Sequence, residues 1–359
     1  MNTEFLCPSI ADVTASTAIW KSVLSKTPFP VFAAIELTHR CNLVCPHCYL
    51  APTQIESELS KNEVVSILGQ LEEMGILVLT LTGGEPTCRK DLLEIIQEAI
   101  RRHFVVILKT NALTLDPETI QELAVQGLYE LNVSLYHSSP AEHDRFVGKR
   151  GAWDAAVNAL RSFSAKGKNV KVALLVMGWN IDSTLELERF CRKESWPYSI
   201  DFRIEPRNDG NCQPMNLQAP SDKLLQLMQE SPLLRSIVAN RRKINEMPNS
   251  ICGMGRSTIV IHADGSVTPC ISLSRIVMGN IRQASLADIW IHSEVRRKVT
   301  SLNRRDQPRC TSCELVSDCP RCPATGFNEH GDLLMPSALD CQLAEVWRQA
   351  RLSLEKHGK

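Results

Sequence analysis

The sequence has no long apolar run: its most continuous stretches, Ile76–Leu81 and Val170–Met177, fall well short of the roughly 20 residues that cross a bilayer as a helix. A membrane-spanning protein is thereby excluded. An excess of charge of either sign is also missing. Forty Lys and Arg balance 40 Asp and Glu in 359 residues, so no basic stripe can neutralise a phosphate backbone, and nucleic acid drops out as a partner. Residues Met1–Trp20 carry Glu4 and Asp12, lack a basic leading region and hold no continuous apolar core. A secretory signal is excluded and a cytoplasmic location expected. Internal repeats and low-complexity tracts are absent as well.

What the chain does contain is cysteine, 14 in all. In a reducing compartment disulfides do not persist, so metal or redox chemistry is the better use for them. Cys41, Cys45 and Cys48 stand in the spacing CxxxCxxC, and seven more lie between Cys252 and Cys341. Cys7, Cys88, Cys191 and Cys212 are scattered and read as small buried hydrophobes.

A length of 359 residues with 43% apolar composition supplies a full core and favours two domains. From residue 31 to about 230, β-branched runs alternate with amphipathic segments, the rhythm of parallel βα units. The strand candidates are Val31–Leu37, Ile76–Leu81, Val105–Thr110, Leu128–Leu135, Val170–Met177 and Ser199–Ile204. Six such units fall short of a closed eight-stranded barrel and leave an open doubly wound sheet or a partial barrel. Between them, Ser60 with Glu63 reads as a capping box, and Asp116 before Pro117 as a helix start. After Pro248 the pattern becomes a hairpin around Asp264-Gly265, then a cysteine-rich stretch ending in a helix from about Leu339 to Glu355. Such a module needs metal to hold it together.

Three thiols on one loop after the first strand lack the fourth ligand that a structural zinc site requires, since His47 directly precedes Cys48. A [4Fe–4S] cluster uses thiolates and can leave one iron open to a small molecule. On Cys41, Cys45 and Cys48 the sequence resembles the radical S-adenosylmethionine (SAM) enzymes. The resemblance implies an α/β fold, a partial (βα)6 barrel. It also implies that the open iron chelates the amino and carboxylate groups of SAM, whose reductive cleavage yields a 5′-deoxyadenosyl radical.

The second strand candidate runs into Thr82-Gly83-Gly84-Glu85-Pro86, similar to the family's GGEP motif. Glycine lets backbone approach a ligand closely, and Glu85 offers an anionic acceptor for an ammonium group. Thr110-Asn111-Ala112 resembles a TNG turn with Ala112 in place of Gly. Ser134 resembles the serine of an SLDG segment near SAM, although Tyr136 and His137 replace the acid and the glycine. Cofactor binding is thus expected at Gly83, Gly84, Glu85, Asn111 and Ser134.

The C-terminal cysteines resemble the SPASM extension, which holds auxiliary [4Fe–4S] clusters, with a zinc ribbon as the alternative use of paired CxxC motifs. The resemblance implies that Cys310, Cys313, Cys319 and Cys341 close one cluster and that Cys252, Cys270 and Cys322 hold another. That second set leaves a site open to substrate or filled by a non-cysteine ligand. Cys319 and Cys322 are separated by two residues where three are usual. The expected domains are an N-terminal extension over 1–30, a barrel over 31–240, a SPASM domain over 248–345 and a helix end over 346–359.

Asp201, Arg203 and Glu205 alternate with Phe202 and Ile204 in the sixth strand candidate. On a strand the three charges share one face, which must be the lumen because the other packs on helices. Arg203 is expected to sit there between carboxylates. The same logic selects Glu36 and Lys109, giving five candidate catalytic residues. The expected function is that of a radical SAM/SPASM enzyme abstracting hydrogen from a ribosomally made precursor peptide. Ile204–Gly210 resembles a turn found in such peptide-modifying members. Haem-type or quinone-type cofactor biosynthesis is the alternative, and a non-enzymatic iron–sulfur or zinc scaffold the remote one. Expected partners are the peptide, a separate leader-recognition protein and a reductant such as flavodoxin or ferredoxin.

Overall fold

The computed structural model describes residues 30–52, 57–240, 252–303 and 306–357. The expected N-terminal extension lies outside them apart from Pro30, as does the expected start of the second domain at 248.

Six parallel strands form first: β1 Phe32–Glu36, β2 Val78–Thr82, β3 Val105–Thr110, β4 Glu130–Ser134, β5 Asn169–Leu175 and β6 Tyr198–Asp201. They pair in consecutive order, β6-β5-β4-β3-β2-β1. A doubly wound sheet would reverse direction at a switch point, so the monotonic order makes this the wall of a partial barrel. Period-two alternation sorts the side chains. Ala33, Ile35, Leu79, Leu81, Val106, Leu108, Leu131 and Val133 are buried in the layer shared with the helices. Glu36, Thr80, Lys109, Asn132 and Lys171 therefore face the lumen.

Local signals set the helix starts. Ser60 and Glu63 form the expected capping box on the helix Lys61–Glu73. Asp116 accepts from the Thr119 N–H at 2.7 Å, with Pro117 opening the next helix. These close orphan N–H groups that would otherwise face the barrel end unpaired.

The sixth strand departs from expectation. It stops at Asp201 because the Asp201 carboxylate accepts the N–H groups of Phe202 and Arg203, at 2.7 and 3.1 Å, which removes them from the ladder. The alternation continues beyond the sheet, with Phe202 and Ile204 buried.

The cysteine-rich module is not a separate layer. Its strands β7 Thr258–Ile261, β8 Ser266–Thr268 and β9 Gly279–Asn280 extend the same sheet to nine strands. The hairpin turns at Gly265, φ 83°. β7 runs parallel to β1, placing Ile261 opposite Ile35, and so satisfies an edge that would otherwise be unpaired. At the far side the final helix, Ala338–His357, packs Leu343 and Trp347 with Phe202, Leu224 and Leu234. The C-terminal module thus grips both edges of the open barrel.

Candidate functional site

The loop leaving β1 carries Cys41, Cys45 and Cys48. Burial pushes all three thiols up, Cys45 to about 12 with help from Cys48 and Cys41. Backbone N–H groups of Leu43 and Leu50 work against this at Cys41 and Cys48. Mutually repelling buried thiols need a cation to ionise together, and a metal cluster supplies it. The donor set therefore fits an iron–sulfur group. A cavity of about 620 Å³ beside the loop is lined by the three cysteines with Gly84, Arg207 and Asn216.

Long-range contacts fix the loop. The Asn208 N–H donates to the Tyr49 carbonyl at 2.8 Å, and Asn208 Oδ1 accepts from the Ala51 N–H at 2.8 Å. The turn after β6 thereby holds the segment following Cys48. Tyr49 donates its hydroxyl to Glu36 Oε1 at 2.6 Å.

Gly83 and Gly84 have a more specific reason to be glycine than approach to a ligand. A Cβ on Gly83 would lie 2.4 Å from the Thr38 carbonyl, and one on Gly84 2.5 Å from that of Arg40. The β2 loop is pressed against the β1 loop, with Gly84 N–H to Thr38 O at 2.7 Å and Glu85 N–H to Arg40 O at 2.8 Å. Gly83 also has φ 137°, which favours glycine.

Glu85 is equally committed. Its carboxylate is buried and accepts the Thr87 N–H at 3.0 Å, the Thr87 hydroxyl at 2.8 Å, the Thr110 hydroxyl at 2.6 Å and the Asn111 N–H at 2.7 Å. Four donors occupy the oxygens that were expected to receive an ammonium group, so in this structure Glu85 clamps the β2 and β3 ends. Asn111 extends the clamp to the cysteine loop, donating to Asn42 Oδ1 at 2.7 Å. Ala112 holds the turn's left-handed position, φ 61°. Ser134 hydrogen-bonds Tyr136, and Tyr136 packs against His47 with ring centroids 4.8 Å apart.

Seven C-terminal cysteines sort into two neighbourhoods. Cys270 is pushed up to about 11 by burial, with Cys322, Glu205 and Cys252 adding to it. Cys319 is likewise pushed up to about 11 by burial, then Asp340, Cys341 and Cys310. Burial also raises Cys341, with further contributions from Cys310 and Cys313. Cys252, Cys270 and Cys322 thus neighbour one another, as do Cys310, Cys313, Cys319 and Cys341. Asp340 stitches them, accepting the Cys322 N–H at 2.8 Å and the Thr325 hydroxyl at 2.8 Å.

Of the lumen candidates, Lys109 borders a cavity of about 220 Å³ with Thr80, Thr82 and Cys270. Burial, then Lys171, depresses its ammonium. Asp201 is exposed. Arg203 is not held between carboxylates: its guanidinium donates to the Pro320 carbonyl and lies 3.5 Å from Asp340 Oδ1. Glu205 is pushed up to about 7, chiefly by burial, with Ser272 as its hydrogen-bond partner. Glu36 stays below the usual carboxylate range, because contacts from His262, His39 and Tyr49 outweigh the upward push of burial.

Sequence reasoning missed Tyr49, His262, Thr110 and Asn208, whose roles arise from partners far along the chain. Cys88, which received no role, lies close enough to Cys41 to raise its thiol. Its position just past the glycine loop was the available signal.

Comparison with known proteins accords with these features. The radical SAM superfamily model matches residues 35–191, and the SPASM iron–sulfur cluster-binding domain matches 252–323. The AdoMet-dependent heme synthase of Methanosarcina barkeri is 25% identical, over 87% of this chain and 96% of its own. The mycofactocin maturase MftC of Mycolicibacterium smegmatis is 26% identical, over 81% and 77%. Streptococcus suis SuiB bound to S-adenosylmethionine shares the fold, with TM-score 0.71 and 18% identity over 94% of this chain and 84% of that one. Among the described residues, no helix is long and apolar enough to cross a membrane. With its cysteine loop on a partial barrel and its two further cysteine groups, this chain belongs to the radical SAM enzymes that carry a C-terminal SPASM domain.

Proposed function

We propose that this enzyme modifies a ribosomally made precursor peptide, with Cys41, Cys45 and Cys48 holding the SAM-binding cluster. Cys310, Cys313, Cys319 and Cys341 hold one auxiliary cluster, and Cys252, Cys270 and Cys322 the other. When bound, the first cluster and SAM supply the radical that abstracts a substrate hydrogen.

The protein's own groups prepare that event. Glu85, Asn111 and the paired glycines lock three loops at one barrel end. Such rigidity keeps a reactive centre aligned with its substrate. Glu205, pushed up to about 7 by burial beside Cys270 and Cys322, is placed to hold or release a proton near the auxiliary set. Ser134, Lys109, Asp201 and Arg203 complete the proposed lumen surface. A reductant such as flavodoxin or ferredoxin supplies the electron, a separate small protein binds the leader, and the location is cytoplasmic.

The observation that carries the peptide reading is the match to peptide maturases over both modules: MftC, and the PqqA peptide cyclase of Rhizobium meliloti at 26% identity over 85% of each chain. The heme synthase match supports a second reading, in which the substrate is a tetrapyrrole. Anaerobic enzyme with SAM and dithionite decides between them. Conversion of a short peptide encoded beside the gene is expected, and conversion of iron-coproporphyrin III alone would replace the proposal with the second reading.

A further inference from the structure

The two modules meet at a buried line of side chains. Glu36 ends β1 and His262 follows β7, each one residue past the paired Ile35 and Ile261. The parallel register therefore sets them side by side on the lumen face. His262 Nδ1 lies 2.6 Å from Glu36 Oε2, and His262 Nε2 lies 2.8 Å from Thr268 Oγ1. Thr268 donates its hydroxyl to the Cys270 carbonyl at 3.1 Å. At the other end the Tyr49 hydroxyl donates to Glu36 Oε1 at 2.6 Å, and Tyr49 directly follows Cys48.

The ionised Glu36 carboxylate only accepts, so His262 Nδ1 donates to it, and the Thr268 hydroxyl bridges Nε2 and the Cys270 carbonyl. Glu36, His262 and Thr268 are 0%, 5% and 0% exposed. In so dry a place each member is costly to leave without its partner, so none can shift alone.

We propose that Tyr49, Glu36, His262 and Thr268 are positioning residues that couple the cysteine loop of the barrel to the Cys270 loop, so that ligand binding at one cysteine set alters the other. The line starts beside Cys48 and ends on Cys270, every link is a hydrogen bond, and Glu36 and Thr268 sit on β1 and β8 of one sheet. Coupling of this kind is reciprocal. SAM bound at the Cys41, Cys45 and Cys48 cluster changes the reduction potential of the auxiliary cluster at Cys252, Cys270 and Cys322. The oxidation state of that cluster changes SAM affinity by the same factor.

The proposal rests on the cluster assignments above, and the experiment separates the two. Auxiliary-cluster potentials are titrated by electron paramagnetic resonance with and without SAM, alongside iron and sulfide content. The wild type should show a SAM-induced shift in potential. Tyr49→Phe and Thr268→Val, which delete one hydroxyl at either end, should each retain full iron and lose the shift. A shift preserved in both variants, or none in the wild type at full iron loading, overturns the coupling. Wild-type protein without iron at the C-terminal set fails the cluster assignment and takes the proposal with it.

Discussion

Glu85 Oε2 accepts the backbone N–H of Asn111 at 2.7 Å, joining the end of β2 to the end of β3 across a sequence separation of 26 residues. A carboxylate used this way is part of the frame before any cofactor arrives. Glu85→Gln turns one acceptor oxygen into an amide that faces donors. Leaving them unsatisfied costs about 2–3 kcal/mol. We expect a lower urea midpoint for the metal-free protein. Unchanged metal-free stability with lost SAM binding would show that Glu85 serves the ligand and not the frame.

The turn residue Ala112 is fully buried at φ 61°. Glycine would relieve about 1 kcal/mol of left-handed strain, yet lose about 0.8 kcal/mol of methyl burial and some chain entropy. The terms nearly cancel. Ala112→Gly should unfold within about 0.5 kcal/mol of the wild type, whereas branched Ala112→Val should be destabilised by about 2 kcal/mol or more. A large gain in the glycine variant would mean that the strain is greater than these terms allow.

Arg203 ties the chain after β6 to the cysteine-rich module through Pro320 and Asp340. A fully buried pair costs about 3–5 kcal/mol to break, but Arg203 is 26% exposed and Asp340 keeps the Cys322 N–H and the Thr325 hydroxyl. Arg203→Leu should therefore cost only about 1–2 kcal/mol, and should expose the C-terminal module to limited proteolysis first. Arg297→Leu, at an exposed helical pair, serves as the neutral control.

His143 is pushed down to about 4 by burial, and its Nδ1 accepts the Tyr136 N–H at 3.3 Å, a bond that needs an unprotonated nitrogen. The unfolded chain takes up a proton near the ordinary histidine value while the folded one resists. Stability is therefore present above that value and is lost as pH falls from about 6.5 towards about 4, at no more than about 1.4 kcal/mol per unit. Urea midpoints at pH 7.5 and 5 should differ less in His143→Asn than in the wild type. Equal differences would remove His143 as the source.

Replacing Cys41, Cys45 and Cys48 together by Ala should abolish formation of 5′-deoxyadenosine while the protein keeps the iron of the C-terminal sets. Complete loss of iron would instead mean that the three sites load as one.

Much of this was legible in the residues themselves. The spacing of Cys41, Cys45 and Cys48, the glycine loop and the βα alternation are local features, written in neighbours and periods along the chain. Helix starts at Ser60 and Asp116 are local for the same reason: the cap and the N–H it satisfies are three residues apart. Tertiary structure decided what depends on strand order and register. Glu36 and His262 are 226 positions apart and meet only because β7 adds to β1. Arg203 finds Asp340 only because the final helix returns to the β6 side. That the paired glycines let the β1 and β2 loops press together, with no room for a Cβ, is likewise set by the tertiary structure. Backbone propensity acts over a few residues, whereas the partner of a buried charge is chosen by the packing of the whole sheet.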